Sequence, residues 1–129
     1  MDADIKELDE NSFDEILKST EKLIIVEFYT TICPNCRVIA PVYADLAKEL
    51  QSEAIFSKVN SQQNVKISSR YGIMGVPTFK FFCKGRPIGE LVGAIHATIL
   101  RNTIKDLIKH RHECASKSTT LVFEIDGYG

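Results

Sequence analysis

Two cysteines three positions apart, Cys33 and Cys36, stand where a predicted strand gives way to a predicted helix. Residues 23–29, LIIVEFY, have the continuous apolar character of a strand that is covered on both faces. After the cysteines, apolar residues recur with the period of a helix at Val38, Ile39, Val42, Tyr43, Leu46 and Leu50. A thiol at a helix N-terminus ionises readily, because unpaired N–H groups and the helix dipole stabilise negative charge there. The second sulfur can reach the first across one helical turn, so this pattern favours a redox pair.

Two other interpretations of the cysteine pair have less support. Half of a zinc site needs two further ligands at a partner spacing, and the sequence contains no second Cys-x-x-Cys. Two inert buried cysteines would leave the placement between a strand and a helix unexplained. His110, His112 and Cys114 lie in a charged run, which is more typical of a solvated tail than of a metal cluster. The sequence therefore predicts no metal, and we interpret Cys83 and Cys114 as free thiols.

Beyond the cysteine pair, several segments resemble the thioredoxin family in the family's own order. Residues 33–36 match its Cys-x-x-Cys, and Pro41 stands where that family carries a helix-kinking proline. Further similar segments are residues 26–29, 58–60, 71–79 and 92–94. The similarity extends from about Ile5 to about Lys109. Landmarks that agree in register identify a family far more specifically than a lone Cys-x-x-Cys does.

The resemblance implies the thioredoxin fold, an α/β architecture with a central mixed sheet of about five strands and helices on both faces. It also implies an electron-carrier type of thiol–disulfide oxidoreductase, which reduces protein disulfides through a dithiol–disulfide cycle of Cys33 and Cys36. Such a protein needs no cofactor and is recharged by a thioredoxin-reductase-like electron donor. Because Cys33 stands at the helix start and Cys36 lies one turn further in, we expect Cys33 to attack the substrate and Cys36 to resolve the mixed disulfide.

Two alternatives stay open at this point. Pro34-Asn35 replaces the Gly-Pro that is usual between the cysteines of thioredoxins, and this dipeptide tunes the redox poise. A disulfide isomerase or oxidase on the same fold is therefore one alternative. The other is a non-catalytic thioredoxin-like binding module, although the intact cysteine pair and Pro77 argue against it.

Glu27 interrupts the apolar strand that precedes the cysteines. A buried carboxylate is costly unless it is paired or protonated, so its presence needs a reason. The family places a buried aspartate here, and the resemblance implies that Glu27 relays a proton to Cys36, with its pKa raised by burial. Lys58, at the family's matching lysine position, is expected to lie near it. The alternative is a glutamate at the strand end whose carboxylate reaches solvent.

The resemblance also implies a substrate groove around a cis-proline, Pro77. In the family this proline packs beside the disulfide, and the residue before it, here Val76, binds an extended substrate peptide through its backbone by strand addition. Ile32 replaces the tryptophan that is usual before the first cysteine, so the rim is expected to be apolar but smaller. The predicted substrate-binding residues are Ile32, Pro34, Asn35, Val76, Pro77, Gly93 and Ala94.

The remaining elements follow from periodicity and turn signals. Strands are predicted over residues 5–8, 23–28, 54–60, 78–83 and 88–92. Helices are predicted over residues 11–17 and 96–110 and after the cysteines, with Pro34 in the first turn and Leu50 as the last apolar position, and residues 62–70 are predicted to form a short helix or a helical turn. Ser12 and Glu15 have the spacing of a capping box, and residues 84–87 are predicted to form a turn. The short turn requires antiparallel strands, whereas two earlier strands joined through a helix require a parallel, right-handed crossover.

Length and charge bound the remaining possibilities. A chain of 129 residues fits one domain, which we place at residues 1–110, with residues 111–129 as a C-terminal extension of unknown structure. Within the extension, residues 121–125 have the composition of an edge strand.

The charge of the chain is nearly balanced: Lys and Arg total 16 against 17 Asp and Glu, which gives no basis for binding nucleic acid or an anionic membrane. An acidic start, without the pattern of a signal peptide, predicts a cytoplasmic protein, and we expect a monomer.

Overall fold

The computed structural model describes residues 4–110 and the backbone of residues 124–126. The strands are β1 Ile5–Leu8, β2 Leu23–Tyr29, β3 Ala54–Asn60, β4 Thr78–Cys83, β5 Arg86–Val92 and β6 Glu124–Asp126. The helices are α1 Phe13–Lys18, α2 Pro34–Leu50, α3 Val65–Arg70 and α4 Ala97–Lys109. The apolar runs of β3 and β4 therefore predict their strands residue for residue.

The strands form one mixed sheet in the order β1-β3-β2-β4-β5-β6. β1, β3 and β2 run parallel, β4 is antiparallel to both of its neighbours β2 and β5, and β6 pairs in parallel with β5. The predicted mixed sheet is confirmed, with a short sixth strand from the C-terminal extension at its edge. That strand occupies residues 124–126, and the earlier part of the predicted edge strand, residues 121–123, lies outside the described residues.

Helices cover both faces of the sheet, as predicted. α2 and α4 pack over one face, where their apolar side chains join those of the strands in one buried cluster. α1 and α3 cover the opposite face, where a second cluster includes Phe13, Phe28 and Phe82. β2 is central and buried from Leu23 to Phe28. Because each large apolar side chain contributes roughly 1.5–3 kcal/mol when fully buried, β2 firmly anchors the segment that leads to the cysteines.

Strand directions bring three chain segments to one end of the sheet. Phe28, near the carboxyl end of β2, pairs with Thr78 at the start of β4, and Thr78 also pairs with Val92 at the end of β5. The loop to Cys33, the peptide before Thr78 and the residues after Val92 all leave the sheet at this end.

The start of α1 differs from the prediction. Ser12 is the N-cap residue, but its hydroxyl makes no bond to the helix. Instead, Ser12 Oγ accepts a hydrogen bond from the N–H of Asp9 at 3.0 Å, and Asp9 Oδ1 accepts from the N–H of Ser12 at 2.9 Å. The predicted capping box of Ser12 and Glu15 is therefore wrong, because the turn before the helix uses the serine hydroxyl.

The hairpin between β4 and β5 is tighter than predicted. Its turn consists of Lys84 and Gly85 with φ of 52° and 81°, and positive φ at both positions is typical of a type I′ turn. Arg86 and Pro87, predicted as turn residues, belong to β5, where Pro87 pairs with Phe82 beside an irregularity in the register. α3 likewise begins later than predicted, because Asn60 Oδ1 accepts the N–H groups of Gln62 and Gln63 and holds them in a turn.

Candidate active site

The cysteine pair lies at the start of α2. Cys33 is the N-cap residue with an extended backbone, at φ −93° and ψ 112°, and Pro34 is the first helical residue. Proline suits this position because its missing N–H would have no partner within the helix. The N–H of Cys36 donates a hydrogen bond to Cys33 Sγ at 3.1 Å. Cys33 and Cys36 form a disulfide, with their Cα atoms 5.2 Å apart.

The two cysteines differ in their hydrogen bonding and not in their burial. Cys33 is 7% exposed and Cys36 is 6% exposed, so burial does not distinguish the two sulfurs in this oxidised state. Between the two sulfurs of the pair, it is Cys33 Sγ that accepts the N–H at the helix start. Pro34 and Asn35, between the cysteines, are both exposed. The helix N-terminus therefore favours negative charge on Cys33 in the reduced protein.

Glu27 is buried in β2, with 5% of its surface exposed. Burial raises the pKa of its carboxyl from 4.5 to about 7, against the opposing charge of Lys58 and with a further contribution from the charge of Glu7. The expected effect of burial is confirmed, and the alternative of a glutamate that reaches solvent is wrong. Glu27 and Lys58 are directly paired in the register of β2 and β3. A carboxyl with this pKa can exchange a proton near neutral pH.

Lys58 lies beside Glu27 in the sheet but pairs with another carboxylate. Its Nζ is 3.8 Å from Oε1 of Glu7, on β1. Among residues 4–110, no ion pair joins Lys58 to Glu27. Sequence analysis overlooked Glu7 because nothing in the short segment of β1 indicates which residue of β3 it will face.

Pro77 is buried, and the Val76–Pro77 peptide bond is cis, as the resemblance implies. The carbonyl of Pro77 accepts a hydrogen bond from the N–H of Gly93 at 2.9 Å. Gly93 has a φ of 95°, which L side chains rarely adopt, and is buried, whereas Ala94 is exposed. Two of the predicted rim residues are therefore in direct contact, at the end of the sheet from which the cysteine loop also leaves.

Exposed apolar side chains flank these segments. Ile32, directly before Cys33, is 72% exposed, and Val76 is half-buried. Sequence analysis missed Met74, which is 95% exposed three residues before Pro77. Its position in the Pro77 segment was the available signal. The segments that lead to Cys33 and Pro77 therefore carry apolar side chains that are at least partly exposed.

Sequence analysis also singled out Cys83 and His110 among residues 4–110. Cys83 is disulfide-bonded, so its interpretation as a free thiol is wrong. It lies at the carboxyl end of β4, which is the opposite end of the sheet from Thr78. His110 follows α4, and His112 and Cys114 lie outside the described residues. Within residues 4–110, no cluster of side chains can hold a metal ion, and no helix is long and apolar enough to span a membrane.

Comparisons with known proteins agree with this geometry. A family model described as Thioredoxin matches residues 4–106. Thioredoxin H4 of Arabidopsis thaliana is 39% identical over 90 residues, which cover 67% of this chain and 76% of that protein. Thioredoxin 1 of Synechococcus elongatus is 34% identical over 90 residues, covering 70% and 83% of the two chains. The X-ray structure of Fasciola hepatica thioredoxin matches with a TM-score of 0.74 and 33% identity, over 79% of this chain and 98% of that one.

Proposed function

The chain belongs to the thioredoxin family and is a thiol–disulfide oxidoreductase, and from this premise we propose that it works as a reductant of protein disulfides. The observation that carries the proposal is the Cys33–Cys36 disulfide at a helix N-terminus, where the N–H of Cys36 donates to Cys33 Sγ. A sulfur in this position is a stabilised thiolate when the pair is reduced, and the thiolate is the attacking species.

The reaction has two exchange steps. The Cys33 thiolate attacks one sulfur of a substrate disulfide, the substrate S–S bond breaks, and a mixed disulfide forms while the other substrate sulfur leaves as a thiolate. Cys36 then transfers its proton to the carboxylate of Glu27 and attacks Cys33 Sγ. The second substrate thiolate leaves, so the substrate gains two electrons and the Cys33–Cys36 pair is oxidised.

Glu27 suits the role of proton acceptor in the second step. Its carboxyl is buried, and its pKa near 7 lets it accept a proton and release it again at neutral pH. Lys58 sets the balance of this role, because its charge lowers the pKa of Glu27 against the larger effect of burial and so keeps part of the carboxyl ionised at neutral pH. Both residues therefore belong to the proposed catalytic set with Cys33 and Cys36.

Substrates bind, in this proposal, as extended segments across the Pro77 loop. Val76 offers backbone hydrogen bonds, while Pro77 and Gly93 form a fixed floor held together by the bond between them. Ile32 and Ala94 are exposed on the rim, and Pro34 and Asn35 are exposed between the cysteines. This composition favours an apolar stretch of polypeptide around the target disulfide.

Electrons come from a thioredoxin-reductase-like donor, and the protein acts as a monomer. Support for the monomer comes from the two buried clusters, which take up most of the large apolar side chains among residues 4–110.

We place the activity in the cytoplasm, where a thioredoxin-reductase-like donor keeps thiols reduced. The thiol state of Cys83 in cells tests the compartment, because a reducing cytosol opens most disulfides and an oxidising compartment preserves them.

Two measurements test the direction of electron flow. Insulin reduction with dithiothreitol as donor should proceed with the wild-type protein, whereas a binding module would give no rate above dithiothreitol alone. Equilibration with glutathione redox buffers should give a potential nearer the roughly −270 mV of thioredoxin than the roughly −120 mV of a strong oxidant. A potential above about −180 mV, the range of isomerases, would instead support the alternative raised by Pro34-Asn35.

A further inference from the structure

Three charged side chains form a row across adjacent strands beneath α2. Glu7 of β1 pairs in register with Lys58 of β3, and Lys58 pairs with Glu27 of β2. Because these strands are parallel and in register, paired residues project from the same face of the sheet. Exposure increases along the row, from 5% at Glu27 to 39% for the Lys58 side chain and 50% for the Glu7 side chain. The row therefore connects the buried carboxyl to the outer strand of the sheet.

Tyr29 holds the outer end of this row. Its hydroxyl lies 3.0 Å from each carboxylate oxygen of Glu7 and donates its proton to that carboxylate. The ammonium of Lys58 lies 3.8 Å from Glu7 Oε1 and 5.2 Å from the centre of the Tyr29 ring. Glu7 and Tyr29 together attract Lys58 to the outer side of the row. This explains why Lys58 makes no described ion pair with Glu27.

Among residues 4–110, two charged side chains contribute to the pKa of Glu27. Lys58 lowers the pKa of Glu27 and Glu7 raises it, while burial contributes more than either. Tyr29 and Tyr43 also lie close enough to interact with Glu27. Burial raises the pKa of Tyr29 to about 12 and that of Tyr43 well above its ordinary value, so both are neutral at physiological pH. The opposing charges of Lys58 and Glu7 are therefore the contributions to the pKa of Glu27 that a substitution at either residue can change.

We propose that Glu7 is a positioning residue of the proton relay: anchored by Tyr29, it holds the Lys58 ammonium on the outer side of the row and so preserves Glu27 as a proton acceptor for Cys36. The ionised Glu7 and Lys58 form a neutral pair beside Glu27. Without Glu7, the full positive charge of Lys58 would face Glu27 alone and would stabilise its carboxylate. A carboxylate stabilised in this way is a weaker base at neutral pH.

The functional half of this inference rests on the proposed relay from Cys36 to Glu27, but the electrostatic half does not. The test therefore measures the two separately. Carbon-13 NMR of the Glu27 carboxyl reports its ionisation directly, and the oxidised protein is suitable because Cys33 and Cys36 do not titrate in a disulfide. Stopped-flow measurement of the rate of mixed-disulfide resolution as a function of pH reports whether Cys36 depends on the Glu27 carboxylate as its proton acceptor.

Glu7→Gln is the main variant, because it removes the charge and keeps a carbonyl oxygen that can accept from Tyr29. The titration midpoint of Glu27 should move to lower pH by about half a unit to one unit, as expected for one charge lost from a partly solvated row. The pH profile of the resolving step should move in the same direction. Tyr29→Phe, which removes the anchoring hydroxyl and leaves the charge of Glu7, should give a smaller shift of the same sign.

Glu15→Gln is the matched control. It makes the same chemical change at an exposed position of α1, which packs on the opposite face of the sheet, and it should leave both the midpoint and the profile unchanged. A melting curve of each variant verifies that it is folded.

A double-mutant cycle separates positioning from simple repulsion. Lys58→Gln alone should raise the midpoint of Glu27, and adding Glu7→Gln in that background should shift it less than Glu7→Gln does alone. A full shift in the Lys58→Gln background would overturn positioning and leave only direct repulsion. An unchanged midpoint in Glu7→Gln would overturn the whole inference. A shifted midpoint with an unchanged rate profile would overturn the relay itself and leave the electrostatic coupling intact.

Discussion

Cys33 and Cys83 lie towards opposite ends of the same sheet, and both are buried and disulfide-bonded. Cys33 caps a helix, accepts an N–H group, and lies at the end of the sheet that carries Pro77 and exposed apolar side chains. Cys83 ends β4 inside an apolar cluster, next to the tight turn at Lys84 and Gly85. Burial and pairing are thus common to both regions. The helix N-terminus, the buried carboxyl of Glu27 in the preceding strand and the exposed apolar side chains distinguish the end that performs the exchange.

Substituting the cysteine at each end of the sheet should give the largest difference in activity between the two regions. Cys33→Ser removes the attacking sulfur, and insulin reduction should fall by on the order of a thousandfold or more, as for other essential nucleophiles. Cys83→Ala should keep activity within about twofold at a temperature where it is folded, at a cost of about 2–4 kcal/mol in unfolding free energy for the lost disulfide. A comparable loss of activity in both folded variants would show that the two ends are coupled.

The buried carboxyl provides the next largest effect. Glu27→Gln keeps the shape of the side chain and removes its ability to accept a proton from Cys36. Resolution of the mixed disulfide should slow by about tenfold to a hundredfold at neutral pH, while attack by Cys33 should change little. Rapid quenching of the reaction with a labelled substrate separates the two steps. Equal resolution rates in both proteins across neutral and mildly acidic pH would remove Glu27 from the mechanism.

Glu27→Gln should also change how the free energy of unfolding depends on pH. In the folded protein the pKa of Glu27 is about 7, whereas in the unfolded chain it is near 4.5. Between pH 4.5 and pH 7 the folded state therefore binds more protons than the unfolded state does. The free energy of unfolding should therefore decrease as pH rises through this window, by about 3 kcal/mol for a shift of this size. Glu27→Gln should lack this decrease. Denaturant unfolding at pH 5 and pH 7.5 tests this, and parallel pH dependence in the two proteins would contradict it.

The smallest expected effect concerns the C-terminal extension. β6 pairs with β5 opposite Glu90, Leu91 and Val92, so it covers a sheet edge close to Gly93 without contributing a predicted catalytic residue. Removing residues 116–129 should leave insulin reduction within about twofold and increase self-association, because the edge of β5 becomes available for pairing. Sedimentation and activity assays on the truncated protein measure both. Loss of most activity in a folded, monomeric truncation would place the extension in the site.

Local sequence patterns predicted what local physics decides. The apolar runs of β3 and β4 have one stable arrangement in a covered sheet, and the Cys33–Cys36 spacing is meaningful because a helix follows directly. Glu27 was identifiable as a lone carboxylate in a buried strand. The extent of α1 and the hairpin turn were less predictable, because Ser12 had two competing partners and Pro87 fits both a turn and an edge-proximal strand.

The charged row beneath α2 could not be predicted from local patterns. Glu7, Lys58 and Tyr29 lie on three adjacent strands, β1, β3 and β2, and nothing in their local sequence marks them. They come into contact only because of the register between these strands. A shift of one residue in β1 would turn Glu7 to the other face of the sheet. The long-range pairing that decides this register is fixed by the packing of the whole domain and leaves no signal in the four residues of β1.

In the proposed mechanism, the helix N-terminus makes Cys33 the attacking sulfur and leaves Cys36 as the resolver. Trapping in a Cys83→Ala, Cys114→Ala background, which removes the other two cysteines of the chain, tests this order most directly. Cys36→Ser can attack but cannot release, and should accumulate mixed disulfides with substrate that mass spectrometry assigns to Cys33. Cys33→Ser should trap almost nothing. Equal trapping by the two variants, or trapping by Cys33→Ser alone, would contradict both the order of attack and the electrostatic argument from the hydrogen bond at Cys33 Sγ.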